Sequence, residues 1–300
     1  MLNILMIGAG VVGQATGKGL AKKGYTIGYI DIDREKLAQL SEQGLLVMQP
    51  DQINWPIWDI IMVAVPTPTI NGRISLAPLI SAMTTVASGL VTTSKFVVVV
   101  VRSTVPPTTT EQQLRPILEK FSGKQAGSDF GLAVNPEFLR QRSSEQDFAR
   151  PWITVLGATD RLTNEILYDI YAPFGGLIIQ CAPTEAEMIK YVNNIYNALK
   201  ISYFNEVHEI CEKLAIDSNL VSAVVARSAE GMWNPLYGTR GGEPYAGACL
   251  PKDTEGFLAF CQDQGWETLM LAATIQVNHK LQTQLEVATT PKLTASMPAT

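Results

Sequence analysis

The run KFVVVVV, Lys95–Val101, constrains the fold of this chain more than any other stretch. Side chains branched at Cβ lose rotamer freedom in a helix and pack well on a pleated surface, so five valines in a row favour a strand. A strand with one wet face alternates apolar and polar residues. This one does not, so both of its faces must be covered, as in a parallel sheet with helices on either side. Runs of similar character recur as NILMIG, YTIGYID, WDIIMVAV, DFGLAV, WITVLG and LIIQCA, with amphipathic stretches between them. The alternation predicts an α/β fold built on an N-terminal doubly wound parallel sheet.

The pattern changes after residue 183. The segment PTEAEMIKYVNNIYNALKISYFNEVHEICEKLAI has helical periodicity and no glycine. It reads as one long helix of the kind that joins two domains or two subunits. Further helices are expected over 217–229, 252–263 and 267–286, with the Gly/Pro/Tyr-rich loop GMWNPLYGTRGGEPYAGACLP before the second of them. Loops of that composition tend to carry function. The expected organisation is residues 1–183 as the sheet domain, 184–286 as a helical central domain, and 287–300, VATTPKLTASMPAT, as a frayed tail.

At 300 residues, 46% hydrophobic and 17% charged, the chain has enough apolar material for one large or two ordinary cores. A net charge of −5 without a Lys/Arg run argues against a nucleic-acid or anionic-membrane surface. No uninterrupted apolar run reaches about 18 residues, and the N-terminal stretch lacks a basic flank and cleavage site. Cys181, Cys211, Cys249 and Cys261 form neither a CxxC pair nor a disulfide framework, which suits free thiols in the cytoplasm. His208 and His279 stand apart from any cluster at ligand spacing, so no metal site is expected.

The stretch IGAGVVG follows the first strand and opens a helix, and Asp31 closes the next strand. Strand, glycines, helix, strand and acid in that order are the fingerprint of a Rossmann-type dinucleotide site. Gly8 permits the tight turn, Gly10 lets the backbone approach a pyrophosphate, and Gly13 lets helix and strand pack closely. Asp31 is placed to accept from ribose hydroxyls and to repel a 2′-phosphate, so NAD is expected in preference to NADP.

Three further stretches are too polar for simple packing: VRSTVPPTT after the valine strand, NPEFLRQ after DFGLAV, and EMIKYVNN on the long helix. Lys190 and Asn194 are spaced i, i+4 and share a helix face. With GACLPKD, and with DIDREK and AVPTP, these stretches make the chain resemble the UDP-glucose/GDP-mannose dehydrogenase family, in the family's order over roughly residues 1–280. The resemblance implies NAD-dependent oxidation of a primary alcohol to aldehyde and then carboxylate, through a thiohemiacetal and thioester on Cys249. It also implies that Lys190 stabilises the oxyanion, Asn194 and Thr104 orient substrate and water, Asp253 carries a proton, and Glu137 lies beside the reacting carbon. Val12, Asp31, Lys36, Thr67, Thr104 and Lys252 match its cofactor-contacting positions, and the long helix implies a homodimer.

The sequence departs from the family in several places. Family members continue into a C-terminal nucleotide-sugar domain where this sequence stops, and they carry a helical insertion before WDIIMVAVP. Gln141 stands where a second acid is frequent, and a glutamine cannot act as a general base. Ala246 replaces one of a glycine pair. The departures lead to the expectation of a substrate other than a nucleotide sugar, for instance an alcohol tethered to a carrier protein or coenzyme A. Two alternatives stand beside it: a shortened UDP-sugar 6-dehydrogenase completed by a partner chain, and a non-catalytic NAD-binding scaffold.

Overall fold

The structure, a computed structural model, describes residues 2–289, with Gln141, Ala288 and Thr289 described by their backbone alone. The chain divides into two compact units that meet at Asn194 and Ile195.

The first unit opens with β1 (Asn3–Ile7), α1 (Val11–Ala21), β2 (Thr26–Ile30), α2 (Arg34–Glu42), β3 (Leu46–Val47) and β4 (Ile60–Val63). A small hairpin, β5 (Thr69–Ile70) and β6 (Arg73–Ile74), leads to α3 (Ala77–Val91), β7 (Val97–Val101), α4 (Arg115–Ser122) and β8 (Phe130–Val134). Then come α5 (Ser144–Ala149), β9 (Ile153–Ala158), α6 (Arg161–Tyr171), β10 (Leu177–Cys181) and the long α7 (Pro183–Lys213). The main sheet has the order β10-β9-β8-β7-β4-β1-β2-β3. The chain winds outward from β1 in both directions, so β1 and β4 flank the topological switch point where such sheets bind ligands.

All five valines of β7 are buried, and the reason is visible in the two cores. Val97, Val99 and Val101 pack with Leu79, Met83 and Val86 of α3 and Leu118 of α4. Val98 and Val100 pack on the other face with Leu20 of α1 and Leu167 and Ile170 of α6. Both faces are dry, which is why the strand shows no alternation.

The expectation of a uniformly parallel sheet needs one correction. β8 and β9 pair antiparallel, only through Ala133 with Ala158 and Val134 with Gly157. β9 and β10 are parallel to each other, so both run against the other strands. Period and composition do not encode strand direction, because a strand buried on both faces reads the same either way.

Aspartates cap the helices that need only a start signal. Asp33 accepts from Lys36 N at the head of α2, and Asp160 from Thr163 N at the head of α6. By contrast α1 begins at Gly10 with no side-chain cap, which leaves its first backbone N–H groups free for an anion.

The second unit holds the rest of α7, then α8 (Ser218–Ser228), the short α9 (Glu230–Trp233), α10 (Leu250–Asp263) and α11 (Leu269–Thr289). The Glu206 carboxylate on α7 accepts from the backbone of Met270 and Leu271 and so caps α11. Ile210, Cys211, Cys261 and Ile275 are buried in this unit, whereas Leu199, Ile201, Leu220, Val224 and Leu236 are at least half exposed. The expected frayed tail over 287–300 is helical through Thr289, and residues 290–300 lie outside the described residues.

Tyr29 of β2 is fully buried, and its hydroxyl has no hydrogen-bond partner. Burial, with a contribution from the charge of Glu145, pushes it up to about 12. The unfolded side chain ionises near 10, so the folded state retains the proton longer and stability falls as pH rises from about 10 to about 12. Tyr29→Phe is expected to flatten this alkaline limb in denaturant titrations and to stabilise the protein at neutral pH by about 1 kcal/mol, since an unsatisfied buried hydroxyl is removed.

Candidate active site

The loops after β1, β2, β4, β7 and β8 converge on a cleft of about 750 Å³ within the first unit. Gly8, Gly10 and Val12 line it from the β1–α1 turn, Asp31 and Lys36 from the end of β2 and the start of α2, and Thr67, Thr104 and Glu137 from the other side.

The glycines divide the labour as a dinucleotide requires. Gly8 has φ +97°, and a Cβ there would lie 2.5 Å from the Ala64 carbonyl oxygen. A Cβ on Gly13 would lie 2.0 Å from the carbonyl oxygen of Gly8, so helix and strand meet only without it. Gly10 differs, because a Cβ there would meet no protein atom within 4 Å. That open space lies on the cleft wall at the uncapped head of α1, a cradle suited to a diphosphate.

Asp31 is fixed as an acceptor at the adjacent end. Its Oδ2 accepts from Ala9 N at 2.7 Å and from Lys36 Nζ at 3.3 Å, and its Oδ1 accepts from Asp33 N at 2.9 Å. Burial alone would push this carboxyl up, but the backbone hydrogen bonds from Asp33 and Ala9 and the Lys36 ammonium outweigh it and hold it below its ordinary value. Lys36 also approaches Asp33 at 3.7 Å, so one ammonium serves two carboxylates and a negative charge remains to meet a ribose.

At the opposite end, hydroxyls tie β4 to β7. Thr67 Oγ1 donates to the Thr104 carbonyl at 2.7 Å and Ser103 Oγ to the Val65 carbonyl at 2.6 Å. Lys190 reaches in from α7. Its Nζ donates to the Glu137 carbonyl at 2.5 Å and to Glu137 Oε1 at 2.8 Å, while Glu137 Oε2 accepts from Leu139 N at 2.7 Å. The Lys190 side chain is 8% exposed, so its charge is held in a poorly solvated place. Asn194, one turn further along, is exposed and accepts from Asn193.

Two residues outside the sequence expectations organise this end. Arg102 is buried, and its Nη1 donates to Asn135 Oδ1 and, at 3.0 Å, to the Tyr171 hydroxyl. Glu187 on α7 is buried and accepts from Thr110 N at 2.8 Å. Burial pushes the Glu187 carboxyl up, opposed by hydrogen bonds from Thr110 and Thr108. The bond fastens α7, three residues before Lys190, to the strand-to-helix loop that carries Thr104. Both lie in stretches whose polarity the sequence shows, Arg102 in VRSTVPPTT directly after five valines and Glu187 at the head of EMIKYVNN, but nothing in those stretches tells that either side chain is buried.

The remaining expected residues lie in the second unit. Cys249 is exposed and stands at the N-cap of α10, with Pro251 in the first turn. Its side chain caps nothing, so the sulfur is free beside the unsatisfied N–H groups of a helix start. The next two charged residues, Lys252 and Asp253, pair at 2.9 Å and are both exposed. Helix α10 starts at Leu250, earlier than the expected 252. The Gln141 side chain lies outside the described residues.

Fold and cleft together define a doubly wound α/β protein with a cleft suited to a dinucleotide at the switch point. Residues 52–175 match the NAD-binding domain, and residues 184–280 the central domain, of the UDP-glucose/GDP-mannose dehydrogenase family. The chain is 31% identical to UDP-glucose 6-dehydrogenase of Haloferax volcanii, over 92% of this chain and 69% of that protein. It is 32% identical to GDP-mannose 6-dehydrogenase of Azotobacter vinelandii, over 84% of this chain and 62% of that one. The fold superposes on a ternary complex of GDP-mannose dehydrogenase from Pseudomonas aeruginosa with a TM-score of 0.88 at 28% identity, covering 96% of this chain and 71% of that one. The chain belongs to the UDP-glucose/GDP-mannose dehydrogenase family, and its dinucleotide is NAD. It spans about two thirds of the length of these curated relatives, 69% and 62%.

The Asp31 geometry sets an expectation for cofactor choice. The native protein should bind NAD more tightly than NADP, and Asp31→Ala should weaken NAD binding about ten- to hundredfold while narrowing the preference, since a charged acceptor is lost. Calorimetry with both cofactors checks this, and equal affinities in the native protein would refute the role of Asp31.

Proposed function

We propose that the protein oxidises the primary alcohol of a sugar nucleotide to a carboxylate, using two NAD per turnover and Cys249 as nucleophile. The observation that carries this reading is the Lys190–Glu137 pair at the cleft end away from Asp31: a poorly solvated ammonium held by Glu137, which lines the cleft together with Thr104. Such a preorganised charge stabilises an oxyanion better than water does, because it needs no reorganisation.

NAD, when bound, accepts the hydride in each oxidation. The chain's own residues do the rest. Gly8, Gly10, Val12 and Gly13 shape the diphosphate cradle, Asp31 and Lys36 hold the adenosine ribose end, and Thr67 and Thr104 border the reacting end. In the first oxidation the carbinol carbon loses a hydride and its hydroxyl a proton, with Glu137 beside the reacting carbon. The Cys249 thiolate then adds to the aldehyde carbon, and the oxyanion formed is stabilised by Lys190 and takes up a proton. A second hydride and proton leave the thiohemiacetal to give a thioester. Water, oriented by Asn194 and Thr104, attacks its carbonyl; the thiolate departs, and Asp253 carries the released proton away. Lys252, paired with Asp253 at 2.9 Å, matches a cofactor-contacting position of the family.

A sugar nucleotide is the substrate class in the names of the relatives, which supports it for this chain. An alcohol other than a sugar nucleotide, for instance one tethered to a carrier protein or coenzyme A, is the second reading; Ala246, where the family has a glycine in the loop before Cys249, supports a different substrate. NADH formation with UDP-sugars, GDP-mannose and carrier-bound alcohols separates the two, and a protein that binds NAD but oxidises none of them is the scaffold instead. With the substrate found, the native enzyme should show a burst of NADH and a covalent adduct by intact mass. Cys249→Ser should lack the adduct and lower acid formation by at least about 10³-fold with NAD binding intact. Absence of an adduct and of any effect of Cys249→Ser would reduce the reaction to alcohol-to-aldehyde oxidation.

Free thiols suit a reducing cytoplasm, and the described residues contain no helix long and apolar enough to cross a membrane. The half-exposed apolar side chains of the second unit, Leu199, Ile201, Leu220 and Val224 among them, support a homodimer through the helical unit. Light scattering at micromolar concentration should give twice the chain mass; a monomer throughout that range would remove the dimer.

A further inference from the structure

Arg102 is 3% exposed, yet among the described residues no carboxylate pairs with it. Its acceptors, Asn135 and the Tyr171 hydroxyl, are neutral, its Nε has no partner, and its guanidinium lies 5.8 Å from the centre of the Phe148 ring. The nearby acids are already engaged. Glu137 is held by Lys190 at 2.8 Å, and Asp147 is held by Arg140 at 2.6 Å. One positive charge is therefore left uncompensated at this end of the cleft.

Burying such a charge is costly, and an apolar residue would pack there without that cost. Arg102 lines the NAD cleft as well as a small cavity of about 40 Å³ behind it. It follows β7 directly and is two residues from Thr104, at the end opposite Asp31. With the adenosine ribose at Asp31, the nicotinamide half falls to the end that Arg102 shares with Thr104 and Glu137.

We infer that Arg102 makes the site discriminate between the two redox states of its cofactor, binding NADH more tightly than NAD⁺. This rests on the reading of the cleft as the NAD site. The oxidised nicotinamide ring is cationic and the reduced ring is neutral, so an uncompensated cation nearby disfavours the first and not the second. In the transfer a C–H bond of the carbinol carbon breaks and both of its electrons go with the hydrogen to the ring. The hydroxyl proton goes to solvent, so alcohol and NAD⁺ become aldehyde, NADH and a proton. Arg102 thereby pulls the equilibrium of the oxidation on the enzyme toward products.

The test is calorimetry with NAD⁺, NADH and ADP-ribose, which lacks the nicotinamide, on the native protein, Arg102→Lys and Arg102→Met. A unit charge within about 10 Å at an effective dielectric near 20 predicts about three- to thirtyfold tighter binding of NADH than of NAD⁺ by the native protein. Arg102→Lys should keep most of that ratio, and Arg102→Met should bring it close to one with ADP-ribose affinity unchanged. A native ratio of one overturns the inference, as does a ratio that survives in Arg102→Met. Equal weakening of all three ligands overturns it too, because the residue would then act on the shared diphosphate or on folding. If Arg102→Met no longer binds ADP-ribose, Arg102→Gln, which retains a donor for Asn135, is judged by the same criteria. Failure of the native protein to bind any of the three refutes the NAD reading itself, which is a separate outcome.

Discussion

The close approach of α1 to the ends of β1 and β4 is the contact on which the cofactor half of this molecule depends. The Gly13 Cα sits where any Cβ would strike the Gly8 carbonyl, and Gly8 in turn sits against the Ala64 carbonyl with φ +97°. Three backbone segments thus touch without side chains between them. Because they do, the head of α1 opens directly onto the cleft, and its uncapped N–H groups rather than a capping side chain face the diphosphate site. The β7 valines, packed on both faces, hold the neighbouring floor at the same level, so that Arg102, Ser103 and Thr104 emerge beside the glycines.

The chemical end is assembled across a larger sequence distance and is correspondingly richer in tethers. Lys190 is held by both the carbonyl and the carboxylate of Glu137, and Glu187, on the same helix, is held by the backbone of Thr110. Three bonds from two residues of one helix to two different strand-end loops fix its rotation as well as its position. The loop that receives Glu187 passes through Thr108 at φ +75° and continues into a π-helical turn over Thr110–Leu114. Non-glycine residues at positive φ and widened helical turns are both unfavourable locally and recur at functional sites. Here both occur where the loop is clasped by a buried carboxylate.

Much of this was legible in the sequence, for identifiable reasons. Strands buried on two faces betray themselves as unbroken apolar runs, and every such run expected became a strand of the main sheet. Glycines at 8, 10 and 13 with an acid at 31 carry the dinucleotide cleft, because the backbone geometry they permit is open to few other residues. The direction of β9 and β10 was not legible, since hydrophobic pattern has no sense of direction. Neither was Glu187: a glutamate on a helix surface and a glutamate buried against a loop have the same spelling.

The sequence by itself determined the family, the cofactor and the residues from which a site can be made, since these depend on residue type and spacing along one strand–turn–helix unit or one motif. Tertiary structure alone decided which charges neutralise each other. Asp31 shares Lys36 with Asp33, Glu137 takes Lys190, Asp147 takes Arg140, and Arg102 is left with neutral partners. Coulomb energies depend on distance and burial, and both are properties of the folded chain. An arginine after five valines is visible to any reader of the sequence; that it is buried without a counter-charge is decided only when β8 and α6 close over it.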